Sequence, residues 1–457
     1  MPRTSAEVQL IPKYLLITAL VVWATGCTAP TSTPTPAPTP SAGGKTYYLS
    51  PTGSDNNSGT SASAPWKTPN HNVNCGDVIL ALLGAYSGIS SFGTVNCPAG
   101  NNVAWLACQT FDTCKISGGG ISVHNSFWGV EGFEVDNGGA CFSAAPSTST
   151  TTIHHIIFAN NVANGCQSGG FGSAPFQGAK GPSGVDYLVL VGNLAYNGAQ
   201  SSAFCFSGIS LYEPANSDTA AGTHMYLAQN ISWANVEPST CAGGNATDGE
   251  GIILDTFNGS QSPGMPVYSG QTVVENNILI GNGSRGFEVF NNTSAPIISR
   301  FNTTYGNGTS LHVGEFVINV ASLVTVKNNI AQATNGPGIE INAVSNSVIN
   351  FDWFDAASGQ KTRNDGGGTT ISFGTSNTLG VNPGFPNPVI PGAPNCSGTA
   401  NTLACMASTV AGFTPTASGA SAFGYQPVTS TFSSNSEYPA WLCNVSMPAG
   451  IISNYCN

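Results

Sequence analysis

A short pattern of apolar and polar positions returns six times between residues 156 and 350. It reads apolar, apolar, polar, Asn, apolar, and most copies run on into an Asn-Gly or a similar small turn. The copies are IIFANNVANG (156–165), LVLVGNLAYNG (188–198), YLAQNISWAN (226–235), VVENNILIGNG (273–283), IISRFNTTYGNG (297–308) and VTVKNNIAQAT (324–334). Their aligned asparagines are Asn161, Asn193, Asn230, Asn277, Asn302 and Asn329. A unit that recurs in this way predicts a solenoid of stacked coils, with the asparagines placed one above another at a corner that favours left-handed backbone.

A second phrase, usually opened by glycine, follows each copy from the second onward. The five examples are GISLYE (208–213), GIILDTF (251–257), GFEVFNN (286–292), EFVINV (315–320) and GIEINAV (338–344). Alternating apolar residues, such as Ile252 with Leu254 and Phe287 with Val289, indicate strands with one face turned into a core. The sequence therefore predicts an all-β fold, a single-stranded right-handed parallel β-helix, with about eight to twelve coils of about 20–50 residues each.

The composition favours this fold and excludes some partners. The chain has 56 Gly and 29 Pro among 457 residues, which leaves little room for long helices. Its formal net charge is −11, with only 11 Lys and Arg, so it lacks the basic surface that a nucleic acid would need. We expect a monomer, because stacked coils bury one continuous core within a single chain.

The N-terminus has the pattern of an export signal. Residues 14–26 are apolar and follow Arg3 and Lys13, and the stretch ends at Cys27 in a lipobox-like Ala-Thr-Gly-Cys. Residues 1–27 are therefore predicted to be a signal peptide with lipidation at Cys27, residues 28–44 a Pro/Thr-rich tether, and residues 45–457 the β-helix domain. Lipid at Cys27 would be the protein's contact with a membrane and would place it at the cell surface or outer membrane. The alternative is ordinary signal cleavage and secretion.

The cysteine count fits export. There are 13 cysteines, and removing Cys27 leaves an even number, which is compatible with six disulfides in an oxidising compartment. None lies between residues 242 and 395, so we expect the disulfides to staple caps and long loops. The spacing predicts no zinc site and leaves the pairing open.

Segments near both ends resemble one protein superfamily. The stretch TYYLSPTGSDNNSGTSASAPWKT (46–68), followed by GDVILALLGAYSG (76–88), resembles the opening of secreted right-handed parallel β-helix proteins of the pectate-lyase-like superfamily. The segments NPGFPNP (382–388) and FTPTASGASAFGYQ (413–426) look like the closing coils of that group, whereas PNHNVNC (69–75) replaces its usual short helix. The resemblance implies the fold and a carbohydrate ligand. It does not imply one reaction, because the superfamily contains lyases, hydrolases, epimerases and non-catalytic members.

Aligning the glycine-led phrases brings charged residues together in a chain that is only 7% charged. Side chains at equivalent positions of successive coils stand about 4.7–4.9 Å apart. We therefore expect Asp248, Glu250, Asp255, Arg285 and Glu288 to share one face and to be the catalytic candidates.

The same alignment predicts two outward rows. One contains Ser210, Ile253, Glu288 and Glu340, and the other Tyr212, Asp255, Phe290 and Asn342. Tyr212, Phe290 and Glu340 are the substrate-binding candidates, the two rings as platforms for a sugar. His154-His155, Trp233 and Trp353 are weaker candidates, and Glu275, Arg300 and Lys327 are expected to form an inter-coil salt ladder.

The charged cluster has several chemical interpretations. Two carboxylates could hydrolyse a glycosidic bond. Several carboxylates could instead hold Ca²⁺ and a uronate, with Arg285 neutralising the substrate or acting as the base of β-elimination. The structural alternative is a surface ion pair of Arg285 with Glu250 or Glu288, worth about 0–1 kcal/mol. The sequence thus predicts an extracellular polysaccharide lyase or glycoside hydrolase, the alternative being a non-catalytic surface module for polysaccharide binding or adhesion.

Overall fold

The computed structural model describes residues 44–176, 181–426 and 437–445. The signal, Cys27 and nearly all of the tether lie outside these residues, so the predictions about them are untested by the structure. In the described part of the chain, no helix is long and apolar enough to cross a membrane.

Three long parallel sheets form the walls of the coil, and the chain visits them in the order sheet 1, sheet 2, sheet 3. Sheet 1 consists of Thr46–Leu49, Val78–Ala81, Ala104–Cys108, Trp128–Glu131, Thr152–Ala159, Gly184–Val191, Thr223–Ala228, Gln271–Glu275, Ile297–Arg300, Val324–Lys327 and Val348–Ile349. Sheet 2 consists of Gly84–Tyr86, Cys114–Ser117, Phe133–Asp136, Val162–Asn164, Leu194–Tyr196, Ile231–Trp233, Ile278–Ile280, Thr303–Tyr305, Ile330–Ala333, Trp353–Ala356 and Thr378–Leu379. Sheet 3 consists of Ile121–Val123, Phe142–Ala144, Phe171–Ser173, Ile209–Tyr212, Ile252–Asp255, Phe287–Asn292, Phe316–Ala321, Ile339–Asn342 and Thr362–Asn364. The predicted parallel β-helix is confirmed. Sheets 1 and 2 have 11 strands each, so the number of coils falls within the predicted range of about eight to twelve.

The remaining elements are short. Val73–Asn74 pairs in parallel with Val95–Asn96, and Thr240–Cys241 pairs antiparallel with Gly244–Asn245. The helical segments are Thr402–Cys405, Ala407–Gly412, Ala420–Ala422 and Ala440–Asn444. The residues predicted to point inward do so, since Ile252, Leu254, Phe287 and Val289 are fully buried in the central core.

The asparagines at the corner between sheets 1 and 2 form a continuous ladder. The Nδ2 atom of Asn277, for example, donates to Oδ1 of Asn302 over 2.9 Å, and its Oδ1 accepts from Nδ2 of Asn230 over 3.0 Å. The stacking predicted from the repeat is confirmed, but the backbone expectation was one residue off. The left-handed residue is the one before the ladder position, such as Asn276 with a φ of 59°. The ladder side chain then lies inside the coil, where it satisfies backbone carbonyls that water cannot reach.

Within the described residues, the segment that follows the last strand of sheet 2 does not add a further coil. Residues 402–426 instead run back along the outside of sheet 2, where Thr402 Oγ1 donates to Asn160 Oδ1 over 3.1 Å and the Tyr425 amide donates to Thr303 Oγ1 over 2.8 Å. The interpretation of residues 413–426 as closing coils was therefore wrong. Trp233 and Trp353 pack in the apolar cluster beneath this segment, so they are not available as sugar platforms.

Disulfides join loops and neighbouring coils. The pairs are Cys75–Cys97, Cys108–Cys114, Cys141–Cys166, Cys205–Cys241 and Cys396–Cys405. Cys443 is disulfide-bonded as well. The expected disulfide staples are thus present in the described residues, outside the most regular coils.

Candidate functional site

Glycine opens the strands of sheet 3 because the backbone there passes close over a second asparagine ladder, at the corner between sheets 2 and 3. A Cβ on Gly251 would lie 2.9 Å from Asn282 Nδ2, and one on Gly286 would lie 2.8 Å from Asn307 Nδ2. The strands that follow these glycines pair in register, Ile209 with Ile252 and Ile252 with Phe287. The residues just before the glycines therefore also stand one above another, and they form the first charged row.

That row is Ser207, Glu250 and Arg285. Ser207 Oγ donates to Glu250 Oε2 over 2.6 Å, and Arg285 Nη1 donates to Glu250 Oε1 over 2.9 Å. Arg285 Nε lies 3.5 Å from Glu288 Oε2, and its Nη1 also donates to the Thr247 carbonyl over 2.6 Å. Glu250 is fully buried and Glu288 is only 4% exposed. A buried network of this kind is not the weak surface pair considered as the structural alternative.

The guanidinium of Arg285 stays protonated. Burial alone would lower its pKa, but the charges of Glu288 and Glu250 more than offset this and raise it. Arg285 therefore fits poorly as the base of an elimination. Its chemistry here is to hold two carboxylates and one loop in place.

Asp255 lies beside this network, at the end of its strand in sheet 3. It is partly accessible to solvent, and Thr256 Oγ1 donates to its Oδ1 over 2.7 Å. Burial, with the charges of Glu250 and Glu213 added, raises its pKa to about 6. Its side chain is in register with Tyr212 on the preceding coil and with Phe290 on the following one, and both rings are half-buried.

Asp248 reaches the same cluster from the loop before sheet 3. Its amide and that of Thr247 donate to Glu237 Oε2, over 2.9 and 3.2 Å, while the Phe206 amide donates to Glu237 Oε1 over 2.5 Å. Burial raises the pKa of the Asp248 carboxyl well above its ordinary value, and the negative charges of Glu250 and Asp255 add to the effect. Asp248 is nevertheless partly accessible to solvent.

The structure thus brings Asp248, Glu250, Asp255, Arg285 and Glu288 together, but it does not bring Glu340 with them. Val317 occupies the intervening coil between Glu288 and Glu340, so the row drawn from the sequence omitted one coil. Glu340 instead pairs with Arg363 on the next coil, with 2.5 Å between its Oε2 and the arginine Nη2.

Several residues of the site were missed by the sequence reasoning. Glu237 holds the Asp248 loop, and Ser207 extends the charged row by one coil. The sequence could have indicated Ser207, because it precedes Gly208 just as Glu250 precedes Gly251. Glu237 lies in a loop without any repeat, so no periodic signal pointed to it.

A cation site is not evident in the cluster. Within the described ranges, the one group of three potential ligand atoms within 4.8 Å of one another comprises Cys205, Glu237 and Cys241. Its two cysteines form a disulfide, and Glu237 already accepts backbone hydrogen bonds. The carboxylates of the acidic cluster do not converge this closely, and a role for Ca²⁺ stays a prediction.

The histidine candidates and the predicted salt ladder lie on sheet 1, outside the charged cluster. Arg300 Nε lies 2.7 Å from Glu275 Oε2 and both side chains are buried, which confirms that part of the predicted ladder, and Lys327 is in register beside Arg300. His154 and His155 lie on a strand of sheet 1 and not on sheet 3, and their Nδ1 atoms are 2.9 Å apart.

No protein-family model matches this chain, and no curated protein sequence does. Solved structures do match. A pectate lyase aligns at 17% identity with a TM-score of 0.41, covering 67% of this chain and 79% of its own. A lacto-N-biosidase from Eubacterium ramulus aligns at 10% identity with a TM-score of 0.41, covering 74% of this chain and 68% of its own. A mannuronan C-5 epimerase module from Azotobacter vinelandii aligns at 15% identity with a TM-score of 0.39, covering 74% of this chain and 92% of its own.

A pectate lyase is thus among the matched structures. At these identities and TM-scores the matches tell nothing about the reaction or substrate of this chain. The fold itself rests on the sheets described above.

Proposed function

We propose that the protein is an extracellular glycoside hydrolase acting on a polysaccharide that lies along sheet 3. The observation that carries the proposal is a pair of partly accessible carboxylates, Asp248 and Asp255, that lie on one face and whose pKa values are both raised by burial. A hydrolase needs one protonated carboxyl to donate to the leaving oxygen and one carboxylate to act as base or nucleophile.

The roles follow from the two environments. Asp248, whose pKa is raised well above its ordinary value, is the general acid. Asp255, with a pKa of about 6, is ionised at neutral pH and is the base or nucleophile. Tyr212 and Phe290 flank Asp255 on the adjacent coils and would contact the sugar on either side of the bond that breaks.

Elimination fits this face less well. A lyase must neutralise the carboxylate of a uronate, and the cation of the cluster, Arg285, is already engaged by Glu250 and Glu288. The substrate is therefore expected to be neutral around the cleaved bond.

Export is part of the proposal. Eleven cysteines of the described residues are disulfide-bonded, which fits an oxidising compartment. Anchoring through Cys27 and the tether of residues 28–44 stay predictions. Mass spectrometry of the protein from its native membrane would identify a lipidated N-terminal cysteine or a different cleavage site.

The activity test is a panel of neutral and uronate polysaccharides, incubated with and without a calcium chelator. New reducing ends and the ultraviolet absorbance of unsaturated uronates would be followed together. We expect reducing ends without that absorbance, and a loss of about 10²–10⁴-fold in kcat for both Asp248→Asn and Asp255→Asn. Asp355→Asn, a carboxylate on sheet 2, is the matched control.

Each contrary result has a defined meaning. Unsaturated products would refute hydrolysis in favour of a lyase, and full dependence on Ca²⁺ would refute the metal-free roles. Binding of one polymer without turnover, unchanged in both variants, would make the protein a binding or adhesion module.

A further inference from the structure

A column of four neighbouring rings crosses the central strands of sheet 1, away from the acidic cluster. Ring centroids are 5.2 Å apart between Phe127 and His155, 4.5 Å between His155 and Tyr187, and 4.0 Å between Tyr187 and His224. Phe127, His155 and Tyr187 all have left-handed backbone, with φ of 69°, 56° and 45°. Bulky residues rarely adopt this conformation, which costs about 1–3 kcal/mol each, although it recurs at other turns of this coil, such as Phe301 and Leu323.

Buried charges hold the column in place. Asp186 Oδ1 lies 2.9 Å from His224 Nδ1 and accepts from Tyr268 Oη over 2.7 Å, and all three side chains are almost completely buried. Gly270 leaves room for this packing, since a Cβ there would lie 2.5 Å from Tyr268 Oη. Apolar residues would support these strands at lower cost, because burying an ion pair requires desolvating both charges.

Two rings of the column, His155 and Tyr187, line a recess of about 510 Å³, which is within the size range of small-molecule sites. The opposite wall comes from the segment 437–445, in which Trp441 packs against His155 at 4.6 Å between ring centroids. Polar groups line the rest. They include Asp218, whose Oδ1 accepts from Tyr187 Oη over 2.9 Å, together with Gln271 and Glu437.

We propose that this recess binds one neutral sugar residue of a glycan, at a site separate from the acidic cluster. A pyranose has apolar C–H faces and a rim of hydroxyl groups. The partly exposed ring of Trp441 suits the faces, while the carboxylates of Asp218 and Glu437 can accept hydrogen bonds from the hydroxyl groups. The proposal goes beyond hydrolysis on sheet 3 and stands independently of it.

Charge sets the selectivity of the recess. Burial lowers the pKa of His154, and it lowers that of His155 to about 4, so both imidazoles are neutral at physiological pH. The Nδ1 atom of His224 already lies 2.9 Å from Oδ1 of Asp186, so this ring is engaged as well. With Asp218 and Glu437 also negative, a uronate would meet net repulsion, whereas a neutral glycoside would not.

The test uses the Asp255→Asn chain, so that any hydrolysis is suppressed and binding is read alone. Ligand-observed NMR would measure Kd for methyl glucoside, methyl galactoside, methyl xyloside and methyl glucuronide. We expect a neutral glycoside to bind and the glucuronide not to bind. Adding Asp218→Asn should weaken binding by about tenfold, because the charged acceptor becomes a neutral amide and one acceptor oxygen becomes a donor. This variant keeps the amide oxygen for Tyr187 and should fold normally.

Trp441→Ala should abolish measurable binding, and Phe351→Ala, which removes an exposed ring elsewhere, should leave it unchanged. The proposal is overturned if no neutral glycoside binds, if both Asp218→Asn and Trp441→Ala bind like the parent, or if the glucuronide binds equally well. Binding of tetramethylammonium in place of the glycosides would overturn it too, since it would show that the recess selects cations. Turnover on sheet 3 is measured separately in the wild-type chain, so failure of either proposal leaves the other standing.

Discussion

Replacing Asp255 by asparagine should stabilise the folded protein above pH 6 while removing its activity. The folded structure raises the pKa of this carboxyl from 3.8 to about 6, mainly by burial. A carboxyl with a raised pKa favours folding while protonated, below its unfolded pKa, and this contribution is lost as pH rises through the folded value. The ionised Asp255 therefore destabilises the fold at neutral pH.

The magnitude follows from the shift. About two pKa units at about 1.36 kcal/mol each give close to 3 kcal/mol, and solvent access to the carboxyl reduces this to about 1–3 kcal/mol. Asparagine has nearly the same shape and keeps an oxygen for the hydroxyl of Thr256, so it removes the charge and little else. The variant should gain this stability at pH 7 and gain almost nothing at pH 4.

The assay is urea unfolding of both chains between pH 4 and pH 8 with the disulfides intact, followed by tryptophan fluorescence. The difference in unfolding free energy should rise across the interval from about pH 4 to about pH 6 and then stay level. Asp355→Asn serves as the control for removing one carboxylate elsewhere on the coil. A difference that is flat with pH, or a variant less stable than wild type at pH 7, would refute the environment assigned to Asp255.

Three further predictions concern the scaffold and the loops of the site. Arg300→Met should cost about 3–5 kcal/mol, because it leaves the buried carboxylate of Glu275 without its cation, and the double variant with Glu275→Leu should recover most of the loss in chemical denaturation. Asn277→Ala should lower the unfolding free energy by about 2–4 kcal/mol in the same assay, since it breaks the ladder on both sides and leaves buried carbonyls unpaired. Replacing Cys205 and Cys241 by serine should lower kcat while the melting temperature changes little, because this disulfide joins the loops that carry Ser207 and Asp248. A variant with unchanged kcat would show that these loops are held in place without the disulfide.

Most of the coil could be predicted from the sequence because its determinants are local and periodic. Alternation of inward residues such as Ile252 and Leu254 specifies a strand and its buried face, and the recurring asparagines specify a corner. The same repeat brought Glu250, Arg285 and Glu288 onto one face, since residues at equivalent positions of stacked coils must be neighbours.

What lies outside the repeat was decided by tertiary packing. The clamp of Glu237 on the Asp248 loop, the return of residues 402–426 along sheet 2 and the ring column around Tyr187 depend on which loops meet across the coils. Loops carry no period, so their contacts leave no regular signal in the chain. The sequence by itself thus determined the coil, its buried face and one charged row. Only the tertiary structure decided which carboxylates are buried, and burial is what sets their pKa values and their chemistry.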